Sequence, residues 1–201
     1  MTRCASYLLG LLLVVWCSVP VATLADDEKT SLPFGTQEIS LTAGYLLPFR
    51  LTPDATTKQS GPAFMPSWGM VLTDTLGKTW YAGQIILGAE VVYIQFQQPV
   101  FSHGVGFTPK IKYLFAGIHS VRPYVEFGGG PFYTDLASQI PEESSRFNFF
   151  LTGGIGLSWF VTPRMALNAG YRFEHISNAG TRYPNVGVNS NMPYGGFAFY
   201  F

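Results

Sequence analysis

Residues 167–174 read LNAGYRFE, and this stretch decides the fold class. Its side chains alternate between two kinds: Leu167, Ala169, Tyr171 and Phe173 are apolar or aromatic, whereas Asn168, Gly170, Arg172 and Glu174 are small, polar or charged. Successive side chains of a β-strand point to opposite faces, so one face of this strand is apolar and the other is charged. A membrane barrel is apolar outside and polar inside, whereas a soluble barrel has the reverse arrangement. The stretch therefore predicts a strand of a transmembrane β-barrel.

Two further segments show the same alternation. The chain ends with Phe197, Phe199 and Phe201 on one face and Gly196, Ala198 and Tyr200 on the other. An earlier strand turns Ile111, Tyr113 and Phe115 outward and Lys110 and Lys112 inward, toward a set of lumen charges that includes Glu126, Arg172 and Glu174. Buried charges persist when they are paired, so we interpret this set as a structural network of the lumen. The terminal Phe201 also resembles the C-terminal signal by which outer-membrane barrels are recognised for assembly.

The whole chain divides into eight predicted strands joined by connections of unequal length. The strands are Gln37 to Phe49, Phe64 to Asp74, Trp80 to Gln97, Gly106 to Phe115, Val121 to Thr134, Phe147 to Val161, Arg164 to Ser177, and Asn189 to Phe201. Short connections are expected at 75–79, 116–120 and 162–163, and long polar or Gly/Pro-rich ones at 50–63, 98–105, 136–146 and 178–188. This alternation with an even strand count is typical of an outer-membrane barrel with both termini in the periplasm. A soluble eight-stranded barrel of the lipocalin type is the alternative.

The first 25 residues predict a cleaved secretory leader. Arg3 precedes a Leu/Val-rich run that is too short to span a bilayer, and Thr23-Leu24-Ala25 ends it like a cleavage signal. A membrane anchor is the alternative, but acidic residues rather than a basic cluster follow. Both cysteines, Cys4 and Cys17, lie inside this leader. The mature barrel, expected over residues 26–201, is therefore free of disulfides and depends on its hydrogen-bonded sheet.

Composition agrees with a membrane location. Hydrophobic residues make up 47% of the 201 residues and aromatic ones 16%, while charged residues are only 12%, against about 25% in water-soluble domains. Twelve basic residues balance twelve acidic ones, so nothing in the charge attracts nucleic acid. No stretch after residue 25 is long and apolar enough for a membrane-spanning helix.

Candidate catalytic residues lie at the end of the seventh strand. His175 and Ser177 fall on its apolar face, about 7 Å apart along the backbone, where a base and a hydroxyl can meet. They precede a long loop, so they are expected at the outer rim of the barrel. The alternative is an interfacial histidine ring followed by an ordinary loop start.

A family resemblance favours the catalytic interpretation. The block HISNAG at 175–180, followed by PNVGVN at 184–189, resembles the active-site motif of the outer-membrane lipid A 3-O-deacylases, the PagL family. The segment YVEFGGGPF at 124–132 is similar to a central strand of that family. The resemblance implies an eight-stranded barrel that is a carboxylic ester hydrolase. Its expected reaction is hydrolysis of the 3-position acyl ester of lipid A in lipopolysaccharide by a serine nucleophile.

Carried over to this chain, the motif assigns Ser177 as nucleophile and His175 as general base. The Asn178 side chain and the Gly180 backbone N–H are the expected oxyanion-hole donors. The family's third catalytic residue is a glutamate, and the matching position here is Asn189. An amide can orient an imidazole but brings no negative charge, so the resemblance leaves a weakened esterase as one outcome.

Two other functions stay open from the sequence. One is a catalytically weak or inactive barrel that binds lipopolysaccharide or stiffens the membrane, and the other is a small channel or adhesin-like barrel. No cofactor is expected, and no metal site, because His103 and His119 fall in connections at opposite ends of the barrel. Lipid A in the bacterial outer membrane is the expected partner, with a homodimer as a further one.

Overall fold

The computed structural model describes residues 31–137 and 139–201, so the predicted leader and its two cysteines lie outside the described residues. Eight antiparallel strands form a closed barrel in chain order, with β1 hydrogen-bonded to both β2 and β8. They are β1 (Gln37–Pro48), β2 (Gly61–Val71), β3 (Gly83–Phe96), β4 (Ser102–Phe115), β5 (Val121–Thr134), β6 (Phe147–Thr162), β7 (Met165–Ser177) and β8 (Val188–Tyr200). The predicted fold class is confirmed.

The predicted strand limits differ from the structure mainly around β2, β3 and β4. β2 spans Gly61–Val71 rather than Phe64 to Asp74, three residues earlier at both ends. β3 begins at Gly83 rather than Trp80, because residues 79–81 form a 3₁₀ turn. β4 begins at Ser102 rather than Gly106, since its first residues continue the ladder in which Phe96 faces Ser102. Cross-strand hydrogen bonds thus extend the strand through Gly104, a residue type that intrinsic strand preference disfavours.

The predicted alternation of connection lengths is wrong at two places. The connection between β2 and β3, expected to be short, covers residues 72–82, and the one between β3 and β4, expected to be long, covers only residues 97–101. The other three connections at the same end as residues 97–101 are long, at 49–60, 135–146 and 178–187. These three loops lie at the end of the barrel where β7 finishes and β8 begins.

Side-chain direction follows the predicted parity. On β7, Leu167 and Tyr171 are exposed while Asn168, Arg172 and Glu174 are buried in the lumen. Exposed aromatic residues occur at both ends of the outer wall: Tyr45, Tyr93, Phe101, Tyr133 and Phe147 at one, Trp68, Tyr81, Trp159, Phe199 and Phe201 at the other. Such belts are typical of a wall that crosses a bilayer. Within the described ranges, no helix is long and apolar enough to span a membrane.

Charged side chains in the lumen form one paired network. The Arg172 guanidinium donates to both carboxylate oxygens of Glu90, at 2.7 and 3.0 Å, and to Glu126 at 2.7 Å. Lys110 lies 3.0 Å from Glu90 and 3.6 Å from Glu126. The network predicted from the sequence is therefore present.

Two of its expected pairings are wrong. Lys112 donates to Glu38 at 2.6 Å, and the carboxylate oxygens of Glu174 contact no hydrogen-bond partner among the described residues. Glu38 lies on β1, distant in sequence from the other charges, so alternation gave its face but not its partner. Toward the end that carries the long loops, buried apolar side chains fill the lumen, among them Met65, Ile94, Phe132, Phe150 and Met192.

Candidate active site

The site is built where β6, β7 and β8 meet at the long-loop end. On β7, His175 stands beside Leu151 of β6 and Asn189 of β8, and Ser177 stands beside Phe149 of β6. Phe149 and Leu151 are exposed on the outer wall, so these partners fix the side of the sheet to which the site belongs. His175 and Ser177 are half-buried on that outer face.

A continuous hydrogen-bond chain links the three predicted catalytic side chains. His175 Nδ1 lies 2.8 Å from Asn189 Oδ1, and His175 Nε2 lies 2.9 Å from Ser177 Oγ. An amide oxygen only accepts, so Nδ1 carries the ring proton and donates it to Asn189. Nε2 of the neutral ring is then the acceptor of the Ser177 hydroxyl proton. This is the tautomer that a general base needs beside a serine nucleophile.

Asn189 is buried although its parity is that of the outer face. It is 4% exposed, because the loop between β1 and β2 covers it; the N–H of Phe49 donates to the backbone carbonyl of Asn189 at 3.0 Å. The ring of Phe49 also packs edge-on against Phe173, with centroids 5.7 Å apart. The inner end of the hydrogen-bond chain is therefore shielded, while the Ser177 end stays accessible.

The loop after Ser177 is held by side chains. The N–H of Asn178 donates to Asn185 Oδ1 at 2.9 Å, and its Nδ2 donates to the Arg182 carbonyl at 2.8 Å. Asn178 is buried, so its amide fixes the loop. Gly180 has φ +75°, and its N–H donates to no acceptor within the part of the chain that the structure describes. The two oxyanion candidates thus have different surroundings.

Gly187 is a site residue that the sequence did not single out. Its φ is +78°, and a Cβ atom there would lie 2.7 Å from Cε1 of His175. Gly187 directly precedes β8, and its lack of a side chain lets the backbone there lie against the His175 ring. It falls inside the quoted block 184–189, but only the folded loop brings it against the ring.

Glu142 was also missed. It lies in the loop 135–146 and contacts the loop 49–60, so neither proximity in sequence nor alternation pointed to it. His103 lies in β4 rather than in a connection as predicted, and His119 lies in the turn after this strand; the two are at opposite ends of β4, as expected.

Fold and site together define a class: an eight-stranded outer-membrane barrel with a Ser–His–Asn hydrogen-bond chain on its outer face. The family model for lipid A 3-O-deacylase (PagL) matches residues 39–197. The chain belongs to this family, as its motifs predicted. Fold and family locate it in a bacterial outer membrane.

Solved structures share the barrel. The crystal structure of the outer membrane enzyme PagL has a TM-score of 0.56 at 23% identity, covering 79% of this chain and 97% of that one. Neisserial surface protein A (NspA) has a TM-score of 0.52 at 17% identity, covering 83% and 97%. The N-terminal barrel of Pseudomonas aeruginosa OprF has a TM-score of 0.51 at 16% identity, covering 84% and 98%. No curated protein matches the chain.

Proposed function

We propose that this chain is a lipid A 3-O-deacylase acting as a serine esterase. The observation that carries the proposal is the chain of hydrogen bonds from Asn189 through His175 to Ser177 on the outer face of the barrel. Family membership supplies the substrate, the 3-position acyl ester of lipid A. The outer rim is where the sugar head groups of lipopolysaccharide meet its acyl chains, so the ester and the serine would share one depth.

In the proposed reaction Ser177 Oγ attacks the ester carbonyl carbon and its proton passes to His175 Nε2. The tetrahedral intermediate breaks the bond to the sugar oxygen, which takes the proton back from His175. Water, deprotonated by the same nitrogen, then attacks the acyl-serine. The bond between the acyl carbon and Ser177 Oγ breaks, Oγ takes the proton back from His175, and the fatty acid is released. Asn189 keeps the ring oriented throughout, as its 2.8 Å contact with Nδ1 supports.

The Gly180 N–H is our first oxyanion donor, because it is otherwise without an acceptor in the described chain. The Asn178 amide is the second, through the hydrogen of Nδ2 that does not serve Arg182. Donors aimed at a developing oxyanion contribute about 3 kcal/mol each in serine hydrolases. A barrel that binds lipopolysaccharide without cleaving it remains the second candidate, favoured by the amide at position 189.

Mass spectrometry of lipid A tests the proposal. Cells that express the wild type should lose one hydroxyacyl chain from lipid A, and cells that express Ser177→Ala should not. Ser190→Ala is the matched control, because Ser190 is next to Asn189 on β8 but stands beside Glu174, on the lumen face of the sheet. Unchanged lipid A in wild-type cells, with purified protein also inactive on lipopolysaccharide micelles, would leave the binding function.

A further inference from the structure

The carboxylate of Glu142 is bound by donors from a different loop. It accepts the N–H of Thr56 at 2.8 Å and its hydroxyl at 3.2 Å, and the N–H of Thr57 at 2.7 Å together with the Thr57 hydroxyl. The side chain is 1% exposed. Loop 135–146 is therefore tied to loop 49–60 through one carboxylate.

These donors keep the carboxylate charged. Burial raises the pKa of Glu142, but the hydrogen bonds from Thr57 and Thr56 outweigh burial and the pKa is lowered below its ordinary value. Glu142 is thus an anion at neutral pH. A carboxylate bound by several N–H and O–H groups is held in one position as well as in one charge state.

Glu142 and Asn189 border the same cavity. The Glu142 carbonyl accepts the N–H of Val186 at 3.0 Å, next to Gly187, which lies against the His175 ring. A cavity of about 130 Å³ under the β1–β2 loop is bordered by both Glu142 and Asn189. That volume is enough for water between the two, since a water molecule occupies about 30 Å³ in the liquid.

We propose that Glu142 is a positioning residue that acts through Asn189, holding the β1–β2 loop over this amide and supplying across the shared cavity the negative charge that an amide lacks. The inference rests on the proposed serine-esterase function. When Ser177 gives its proton to His175, a positive imidazolium forms, and an anion nearby stabilises it. The carboxylate of this site would then come from a distant loop instead of from position 189.

Other charged groups near this cavity do not cancel the anion. Arg50 borders it, but its guanidinium donates to the carbonyls of Thr52 and Pro53 rather than to Glu142, and the residue is exposed, so water screens its charge. Lys58 also borders it and is exposed, so water screens its charge. Glu143 is adjacent in sequence and equally buried, yet it lines another cavity with Arg182, which makes it a matched control.

The test measures how fast a fluorophosphonate probe labels Ser177 between pH 5 and 9. Labelling reports the activated serine without requiring lipid A as substrate, and Ser177→Ala gives the blank. We compare wild type, Glu142→Gln, Glu143→Gln and the double variant Glu142→Gln with Asn189→Glu, all folded in detergent. Lipid A cleavage is measured in parallel.

Glu142→Gln should slow labelling about three- to tenfold, the size expected for a charge acting across a wet cavity. The acidic limb of its pH profile of labelling should move to lower pH, because loss of the anion favours the neutral His175 ring. Glu143→Gln should leave that limb unchanged, and Asn189→Glu should restore the Glu142→Gln rate. A slower rate with no movement of the acidic limb and no rescue would mean that Glu142 only ties the two loops together, and it would overturn the proposal.

The two proposals fail in different ways. Labelled Ser177 with intact lipid A would refute the deacylase function and leave the role of Glu142 standing on its own comparison. A wild type that is not labelled at any pH would overturn both, because no activated serine would exist for Glu142 to support. Unchanged labelling in Glu142→Gln would overturn this inference alone.

Discussion

The inner and outer faces of β7 both carry polar groups, but those inside are buried and paired whereas those outside are partly exposed. Arg172 points into the lumen and is 1% exposed, and its guanidinium donates hydrogen bonds to Glu90 and Glu126. His175, three residues later, points outward and belongs to a hydrogen-bond chain whose last member, Ser177, is half-buried on the outer face. Inside the barrel, the Arg172 guanidinium donates its hydrogen bonds to other fixed side chains of the lumen. Outside, the chain ends on a group that is accessible to a substrate.

This difference follows from the surroundings of each face. A charge enclosed by the barrel needs a partner, and the network around Arg172 supplies it. A polar side chain on the outer wall is tolerated at the rim, where water and head groups reach it. Function is therefore expected at the outer end of the strands, and structural pairing in the lumen.

The largest expected effect separates the two faces by activity. His175→Ala should lower deacylation at least about 10³-fold, because the proposed general base is lost, while the barrel keeps its heat-modifiable migration. Lipid A mass spectrometry and gel mobility measure the two properties on one sample. Activity near that of wild type in His175→Ala would end the serine-esterase proposal.

The opposite variant lies three residues away. Arg172→Met should destabilise the folded barrel by about 3–5 kcal/mol, since Glu90 and Glu126 stay buried without their main partner. Urea unfolding in lipid vesicles measures this. Leu167→Met, a change on the outer wall, is the control and should shift the midpoint little. Normal stability in Arg172→Met would mean that the lumen network does not hold the barrel.

Much of this comparison could be read from the sequence, because alternation has a period of two residues and lipid inverts its sign. It gave the eight strands, the outward face of His175 and Ser177, and the lumen position of Arg172. Partners across the lumen were less accessible. Lys112 pairs with Glu38, which lies 74 positions earlier, and no local pattern indicates that pairing.

Loops limited the prediction further. Hydrogen bonds within the barrel decide that residues 102–105 belong to β4, although Gly104 is among them. The contacts of Gly187 with His175 and of Glu142 with Thr56 depend on how three loops fold together. Motif resemblance supplied Asn189, and only the folded β7–β8 ladder brings its oxygen to the imidazole.

In the proposed mechanism Asn189 orients His175, so substitutions at this position should change the rate of deacylation. Asn189→Ala should lower activity about 10²-fold, because the ring loses its orienting partner. Asn189→Glu should keep or raise it, since a carboxylate accepts the same proton and offsets the imidazolium charge. Steady-state deacylation of lipopolysaccharide micelles measures both. Equal rates in all three proteins would show that Asn189 does not orient His175.

Gly187 gives a smaller effect by displacement. In Gly187→Ala the new methyl would lie 2.7 Å from the His175 ring, in a left-handed backbone conformation, so the ring must shift. We expect about tenfold slower deacylation with the barrel intact. Gly35→Ala is the control, because it has φ +83° but no atom within 4 Å of its added Cβ. A similar loss in both variants would assign the effect to backbone strain instead.

Glu143 offers the smallest effect and extends the comparison from the lumen to the loops. Burial, together with repulsion from Glu142, raises the pKa of Glu143 to about 8 from an ordinary 4.5. Its carboxylate oxygens contact no hydrogen-bond partner in the described chain, unlike the paired lumen carboxylates. At neutral pH the closed loop therefore holds a protonated Glu143.

The sign of the pH effect follows from where the proton is bound. Between about pH 4.5 and 8 an opened loop releases the Glu143 proton and the closed loop keeps it, so closure weakens as pH rises, by at most about tenfold per pH unit. Hydrogen exchange of residues 135–146 should thus quicken relative to its intrinsic rate from pH 6 to 8. Glu143→Gln should remove this dependence, because the amide does not titrate. Glu142 acts in the opposite sense and only in acid. Burial raises the pKa of Glu142, but the hydrogen bonds from Thr57 and Thr56 lower it overall, so the contact between the two loops is lost as pH falls through that lowered value. Exchange in Glu143→Gln that still quickens across pH 6 to 8 would show that another group governs the loop.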